Sequence, residues 1–286
     1  MDWLVSNGLG WLPWRYALGI AAVMVVLMLV TRAWPRYRFL SSSAGEVALL
    51  MTAYAAWQYA GSLTFGGFEN AEEAGLQLAR IEELLGWPSG AAMQAQILGH
   101  EWLLRVADTY YATAHITMFV ITLAWVFLRH REDWPFTRTT VFIATGACLL
   151  IQYKPVAPPR LIPELGVVDT AARTGLSVYD AIPGANQYSA MPSVHIAWAA
   201  AVALLIIVIA RSPYRWLALA HPVITTWVVV VTGNHFLMDA AVAVVLLAGA
   251  CAVALAIPSQ RPRRFREYLV RRVAAQEQRE LDQVSG

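Results

Sequence analysis

Cysteine and charge are the scarce commodities of this chain. Its two cysteines, Cys148 and Cys251, both fall inside apolar stretches, so neither a disulfide framework nor a cysteine-based metal site is expected. Only 14% of the 286 residues are charged. The formal charge of +2 says little by itself, because in an apolar chain the position of each Lys and Arg matters more than the sum; no nucleic-acid partner is expected. Also missing are a small-residue cleavage pattern after the first apolar stretch, any repeat of 20 to 50 residues, and a lipidation motif. The first stretch therefore reads as a retained helix rather than a signal peptide.

What is abundant is apolar sequence. The chain is 58% hydrophobic, contains twelve Trp, and has an apolar tract roughly every thirty residues. That pattern predicts an all-α, polytopic integral membrane helical bundle. Seven segments stand out, at about 16 to 30, 47 to 65, 109 to 128, 139 to 153, 194 to 210, 216 to 232 and 236 to 257, giving about seven transmembrane helices. Four parts follow: an N-terminal helix and loop (1–46), a second transmembrane helix with amphipathic helices (47–108), a membrane core (109–257) and a basic tail (258–286).

Fifteen of the twenty-one basic residues sit in alternate connections: Arg32, Arg36 and Arg38, then Arg129, Arg131 and Arg138, then Arg211 and Arg215, and finally the run from Arg261 to Arg279. The positive-inside rule makes those connections cytoplasmic. The expected topology is a multi-pass cell-membrane protein with its N-terminus outside and its C-terminus cytoplasmic. The tail reads as a surface helix facing anionic lipid.

Between the second and third segments, Leu76, Ile81, Leu84 and Leu85 alternate at helical spacing with Glu72, Glu73, Arg80, Glu82 and Glu83. Met93, Ile97, Leu98 and Trp102 suggest a second amphipathic helix. Both are expected at the outer interface, either roofing a site or forming a small cap on the bundle.

Ionisable side chains at membrane helix ends are costly and mark candidate sites. His235 and Asp239 are four apart at the opening of the last helix, after the turn dipeptide Gly233-Asn234. This spacing puts them on one face, where a carboxylate can fix one imidazole nitrogen and make the other a better nucleophile or base. Pro192-Ser193-Val194-His195 opens another helix, with Pro suited to the first helical position and Ser to the cap. The outward N–H groups there make a seat for an anion. Lys154 and Arg160 bracket a proline-stiffened stretch and supply two positive charges. Guanidinium is the preferred bidentate partner of phosphate. Each feature alone has a structural explanation: capping, a satisfied core histidine, or interfacial snorkelling. All of them fall on the extracytoplasmic side by the topology above.

This ordered set, Lys154…Arg160, Pro192-Ser193-Val194-His195 and His235…Asp239, resembles the three signature motifs of the type 2 phosphatidic acid phosphatase superfamily. Ala157-Pro158-Pro159-Arg160, Ala190-Met191-Pro192-Ser193-Val194-His195 and Gly233-Asn234-His235-Phe236 look most like its bacterial branch related to fungal inositol-phosphorylceramide synthases. Tyr110-Tyr111 and His115 also look like that branch. The resemblance covers about 109 to 257 and implies a six-helix phosphatase-type core. It further implies that His235 attacks phosphorus, Asp239 orients it, and His195 serves the leaving and entering oxygens. Lys154, Arg160 and the N–H groups near Ser193 would neutralise the equatorial oxygens. Tyr188, Asn234, His115 and Tyr111 are expected around the substrate, with no cofactor and no metal.

Several positions depart from the family pattern. Lys154 and Arg160 are closer together than usual, Leu161 follows Arg160 in place of Pro, Val194 replaces Gly, and Val229 stands where an arginine normally precedes the third-motif histidine. Clamping is then expected to rest on Arg160, or on another basic residue such as Arg173. The implied function is a lipid phosphatase or phosphotransferase with membrane lipids as its surroundings and a lipid-linked phosphate as substrate. Water and alcohol acceptors are not distinguished, a head-group transferase is the alternative, and oligomeric state is not indicated. Three readings from other classes are a transporter or channel lined by these groups, an intramembrane serine protease using Ser193, and metal or haem ligation by His115, His195 and His235.

Overall fold

The computed structural model describes residues 12–62, 70–177 and 186–285, and throughout them the backbone is helical apart from turns and one isolated parallel bridge, Val156 to Ser189. The chain divides into two compact units, one made of Met1–Gly67 with Val178–Gln187 and the other of Phe68–Ser177 with Tyr188–Gly286.

The first unit is a helical hairpin of α1 (Trp14–Thr31) and α2 (Arg38–Ser62). A short turn of 3-10 helix, Pro35–Tyr37, reverses the chain, with proline at its first position because no donor is needed there. Ser41 Oγ donates to Met28 O at 3.1 Å, and Tyr54 hydroxyl donates to Leu12 O at 3.0 Å, which fixes the helices antiparallel.

The second unit opens with α3 (Ala71–Leu84) and α4 (Gly90–Ala95), and then α5 (Glu101–Arg129) and α6 (Trp134–Gln152). A loop carrying the five-residue α7 (Thr170–Thr174) leads to α8 (Val194–Ile209), α9 (Ala220–Val231), α10 (Leu237–Ala256) and α11 (Arg263–Ser285). Between lipid-facing helices there is little hydrophobic driving force, so close packing depends on small residues. Ala144 of α6, Ala201 of α8, and Leu247 and Ala250 of α10 form one buried cluster of this kind.

Among the described residues, five helical stretches are long and apolar enough to cross a membrane: Trp14–Thr31, Glu101–Arg129, Arg131–Gln152, Pro213–Val231 and Leu237–Ala256. The expected count of about seven is thus met only in part. α8 is apolar but has 16 residues, roughly 24 Å at 1.5 Å per residue. α2 contains the expected segment from 47, begins nine residues earlier at Arg38, and does not qualify as a span; the segment's last residues, 63–65, lie outside the described ones. The chain is nonetheless a multi-pass helical membrane protein.

The stretch between the second and third segments differs from its expected pattern in two ways. In α3 the inward stripe is Ala71, Gly75 and Glu82, whereas Ile81 and Leu84 point outward, Leu84 at 87% exposure. The reason is close approach. A Cβ on Gly75 would lie 2.4 Å from Ile162 Cδ1 and 2.8 Å from Ala157 O, so only glycine lets the helix reach that segment. The second amphipathic helix is also shorter than its apolar spacing implied. α4 ends at Ala95, and Trp102 belongs to the first turn of α5, so the third segment starts eight residues before its expected position at 109.

Candidate active site

Three loops carry the candidate residues, and backbone hydrogen bonds lock them together at one end of the second unit. Val156 N–H donates to Tyr188 O at 2.7 Å, and Ala190 N–H donates to Val156 O at 3.2 Å. Arg160 N–H reaches Gly233 O at 3.0 Å, and Ser193 N–H lies 3.4 Å from Asp239 O. Gln152, at the end of α6, donates from its side chain to Pro192 O at 2.8 Å. Buried backbone groups must be paired. Here the pairing is done across motifs, so the three segments cannot shift independently.

Gly233 makes the tip of the α9–α10 connection with φ +73°, the left-handed region that only glycine adopts without strain. A Cβ there would also come within 2.8 Å of Val167 Cγ1 and 3.0 Å of Arg160 Cβ. The turn delivers His235 just ahead of α10, whose N-cap is Phe236. Asp239, at the third helical position, folds back so that Oδ2 accepts the Phe236 N–H at 2.8 Å and lies 3.1 Å from His235 Nδ1. The pair therefore meets, but not as two side chains on one helical face: His235 precedes the helix, and a capping carboxylate holds it.

His235 Nδ1 also lies 2.8 Å from Ala190 O. Both neighbours of Nδ1 are acceptors, so the proton belongs on Nδ1 and the lone pair on Nε2. Both side chains are nearly sealed, at 5% and 0% exposure. Among the described residues the second Asp239 oxygen, Oδ1, has no hydrogen-bond partner.

Ser193, fully buried, is the N-cap of α8, and its Oγ accepts from Ile196 N–H at a long 3.4 Å. Pro192 consequently precedes the cap instead of occupying the first helical position, and His195 falls in the first turn. The His195 ring stacks on Tyr111 with centroids 4.6 Å apart, touches His115 at 4.1 Å, and stands 5.5 Å from His235. No hydrogen bond engages the His195 ring among the described residues, which leaves its nitrogens available. His115 and Tyr111, both buried, form the floor behind it.

The two expected cations part company. The Arg160 side chain is 3% exposed; NH1 bonds Asp169 Oδ2 at 2.9 Å, and Nε donates to Asn234 Oδ1 at 3.0 Å. Asn234 is in turn anchored by donating to Thr232 Oγ1 at 2.9 Å. Lys154 is exposed at the end of α6, and its side chain makes no hydrogen bond or ion pair among the described residues. Arg173, the other basic residue considered for clamping, is half-exposed and pairs with Glu101 at 3.4 Å. Tyr188 contributes its carbonyl to the bridge and packs its half-buried ring on the cluster of Ala157, Ile162 and Phe236.

Three further residues enter the site's support. Asp169 holds Arg160 with one carboxylate oxygen and caps α7 with the other, which accepts Ala172 N–H at 3.0 Å. Asp108 of α5, 1% exposed, accepts from Thr170 and Thr174 at 2.7 Å each, tying α7 to the bundle. Gln94, fully buried, donates to Val168 O and Val231 O and accepts from Val168 N–H. All three escape the reading of the sequence above; an aspartate ahead of a short helix is a capping signal that would find Asp169, whereas nothing local marks Asp108 or Gln94.

A cleft of about 430 Å³ is lined by His235 and Phe236, by Arg80, Glu82 and Glu83 of α3, and by Trp87. Among the described residues no group of three or more His, Cys, Asp or Glu is arranged to hold a metal ion.

An apolar helical bundle that gathers imidazoles, a buried carboxylate and a guanidinium at one end has the composition expected of a membrane enzyme that handles an anionic group. Residues 76–253 match the family model of the PAP2 superfamily, and the chain belongs to that superfamily, which comprises membrane phosphatases and phosphotransferases. No curated protein and no solved structure matches the chain significantly.

Proposed function

We propose that the protein is a phosphatase or phosphotransferase that takes a lipid-linked phosphate at the extracytoplasmic face and works through a phosphohistidine on His235. The observation that carries this reading is the setting of His235 Nδ1 between two acceptors, Ala190 O and Asp239 Oδ2, which favours the proton on Nδ1 and leaves Nε2 to act as the nucleophile. In the first step Nε2 forms a bond to phosphorus while the bond to the lipid oxygen breaks, and His195 supplies a proton to that oxygen. In the second, His195 takes a proton from water or an alcohol, whose oxygen bonds phosphorus as the P–N bond breaks. Arg160 and the free N–H groups in the first turn of α8 neutralise the equatorial oxygens, and Tyr111 and His115 hold the His195 ring. Lys154, being exposed, contributes long-range attraction instead of a fixed contact. The positive-inside distribution of arginine supports placing this end outside, with the C-terminus cytoplasmic.

The likeness of the motifs to the inositol-phosphorylceramide synthase branch supports a head-group transferase as the finer alternative. A panel of lipid phosphates, assayed without added metal and with or without alcohol acceptors, separates the two. Free phosphate identifies hydrolysis, and a new lipid product identifies transfer. Denaturing the enzyme during turnover of a phosphorus-labelled substrate should leave acid-labile, base-stable label on the wild type and none on His235→Ala. A transporter instead predicts uptake into proteoliposomes that persists in His235→Ala.

A further inference from the structure

Glu82 is a buried carboxylate that the steps above do not use. It lies on the inward stripe of α3 at 5% exposure. Its Oε1 accepts the Met238 N–H at 2.7 Å, 156 residues away in sequence and within the first turn of α10. The Leu237 N–H also favours its charged form, while burial and the nearby Asp239 carboxylate work against it.

The first N–H groups of a helix have no partner within it, and a side chain must satisfy them wherever water is excluded. At α10 the work is split. Asp239 serves the Phe236 N–H and turns to His235 with the same oxygen, and its other oxygen bonds nothing among the described residues, so the Met238 N–H in the first turn is left to another acceptor. Glu82 serves that turn from outside. The helix that presents the nucleophile is therefore capped twice, once by its own aspartate and once by a helix that lines the same cleft as His235.

We propose that Glu82 is a positioning residue, which by bonding the first turn of α10 holds the His235–Asp239 pair in register with the cleft and ties the α3 wall to the nucleophile. The catalytic half of this inference rests on the phosphohistidine reading; the structural half does not. A carboxylate placed for positioning can be replaced by an amide, whose carbonyl oxygen still accepts an N–H. A carboxylate needed for its charge cannot.

The test compares Glu82→Ala and Glu82→Gln in the full chain, with activity on a lipid phosphate and backbone amide exchange at 237–238 read on the same preparations. Displacements near 1 Å at a reacting group can cost about 100-fold. Glu82→Ala is thus expected to lower kcat by about 10- to 100-fold with KM within about threefold, and to speed exchange at 237–238. Glu82→Gln should restore both to near wild type. Unchanged exchange in Glu82→Ala overturns the proposal, as does kcat within about twofold of wild type or a Glu82→Gln variant as impaired as Glu82→Ala. If the wild type shows no phosphoryl transfer, the phosphohistidine reading fails separately, and amide exchange alone decides whether Glu82 caps α10.

Discussion

At the end of the second unit that carries His195 and His235, the carboxylates of Glu82, Asp108 and Asp239 are buried; the first two accept hydrogen bonds from a distant helix or loop, and Asp239 from the neighbouring Phe236 N–H beside His235. At the opposite end the charges lie in the open. Arg263 and Arg211 both reach Glu267, and Arg266 reaches Glu132, in pairs that solvent surrounds. The exceptions there are instructive: Arg264 donates to Ala210 O at 2.9 Å, closing the end of α8, and Arg263 N–H meets the buried Asp133 carboxylate at 2.7 Å. The same residue types thus do two kinds of work. Exposed pairs are screened and contribute little, whereas a buried acceptor that loses its donor bears the full cost of an unsatisfied polar group.

Mutations at the two ends should separate that contrast sharply. His235→Ala is expected to abolish turnover, by roughly 10⁴-fold or more, and also to lower detergent stability by about 1–3 kcal/mol, because Ala190 O and Asp239 lose a buried donor; a loss of turnover under about tenfold would remove the nucleophile assignment. Asp239→Asn keeps the shape and an acceptor oxygen but removes the negative charge that would stabilise the imidazole as it bonds phosphorus, and should cost about 10²- to 10⁴-fold in kcat. Arg160→Ala should cost about 10²- to 10³-fold, against no measurable change for Arg266→Ala in the same assay. Equal losses at the two arginines would erase the distinction between the ends.

Smaller effects test the scaffold. Gly233→Ala places a side chain in the left-handed region and against Val167, and should destabilise the fold by about 1–3 kcal/mol, visible as a lower unfolding temperature. Burial holds the Glu82 carboxyl above its ordinary value of 4.5, so in the folded protein it retains its proton to higher pH than when unfolded. Its share of stability is then fully present at low pH and declines as pH rises from the unfolded value through the raised folded one. Stability curves of wild type and Glu82→Gln should accordingly diverge over that window in favour of the variant and run parallel above it. Glu267→Gln, at the open end, should leave the unfolding temperature unchanged.

Local sequence rules worked where one short segment decides the geometry. Gly233 turns the chain as its type demanded, Ser193 caps α8, and Asp239 reaches His235. They failed where a partner comes from elsewhere. Counting charged against apolar positions placed Glu82 on the outer face of α3, because periodicity cannot know that Gly75 brings this helix onto Ala157 and Ile162, or that unpaired N–H groups of α10 await a carboxylate. Spacing suggested that Lys154 and Arg160 act together, yet one is exposed and the other sealed between Asp169 and Asn234.

By composition and by the order of its histidine, serine and arginine motifs, the chain determined that it would be a bundle of apolar helices with ionisable residues at their starts, since burying backbone in lipid leaves few alternatives to the helix. Only the tertiary structure decided which ionisable groups meet. That choice depends on which donors are left unpaired when distant helix ends converge, and in a dry interior each such donor selects its acceptor through space.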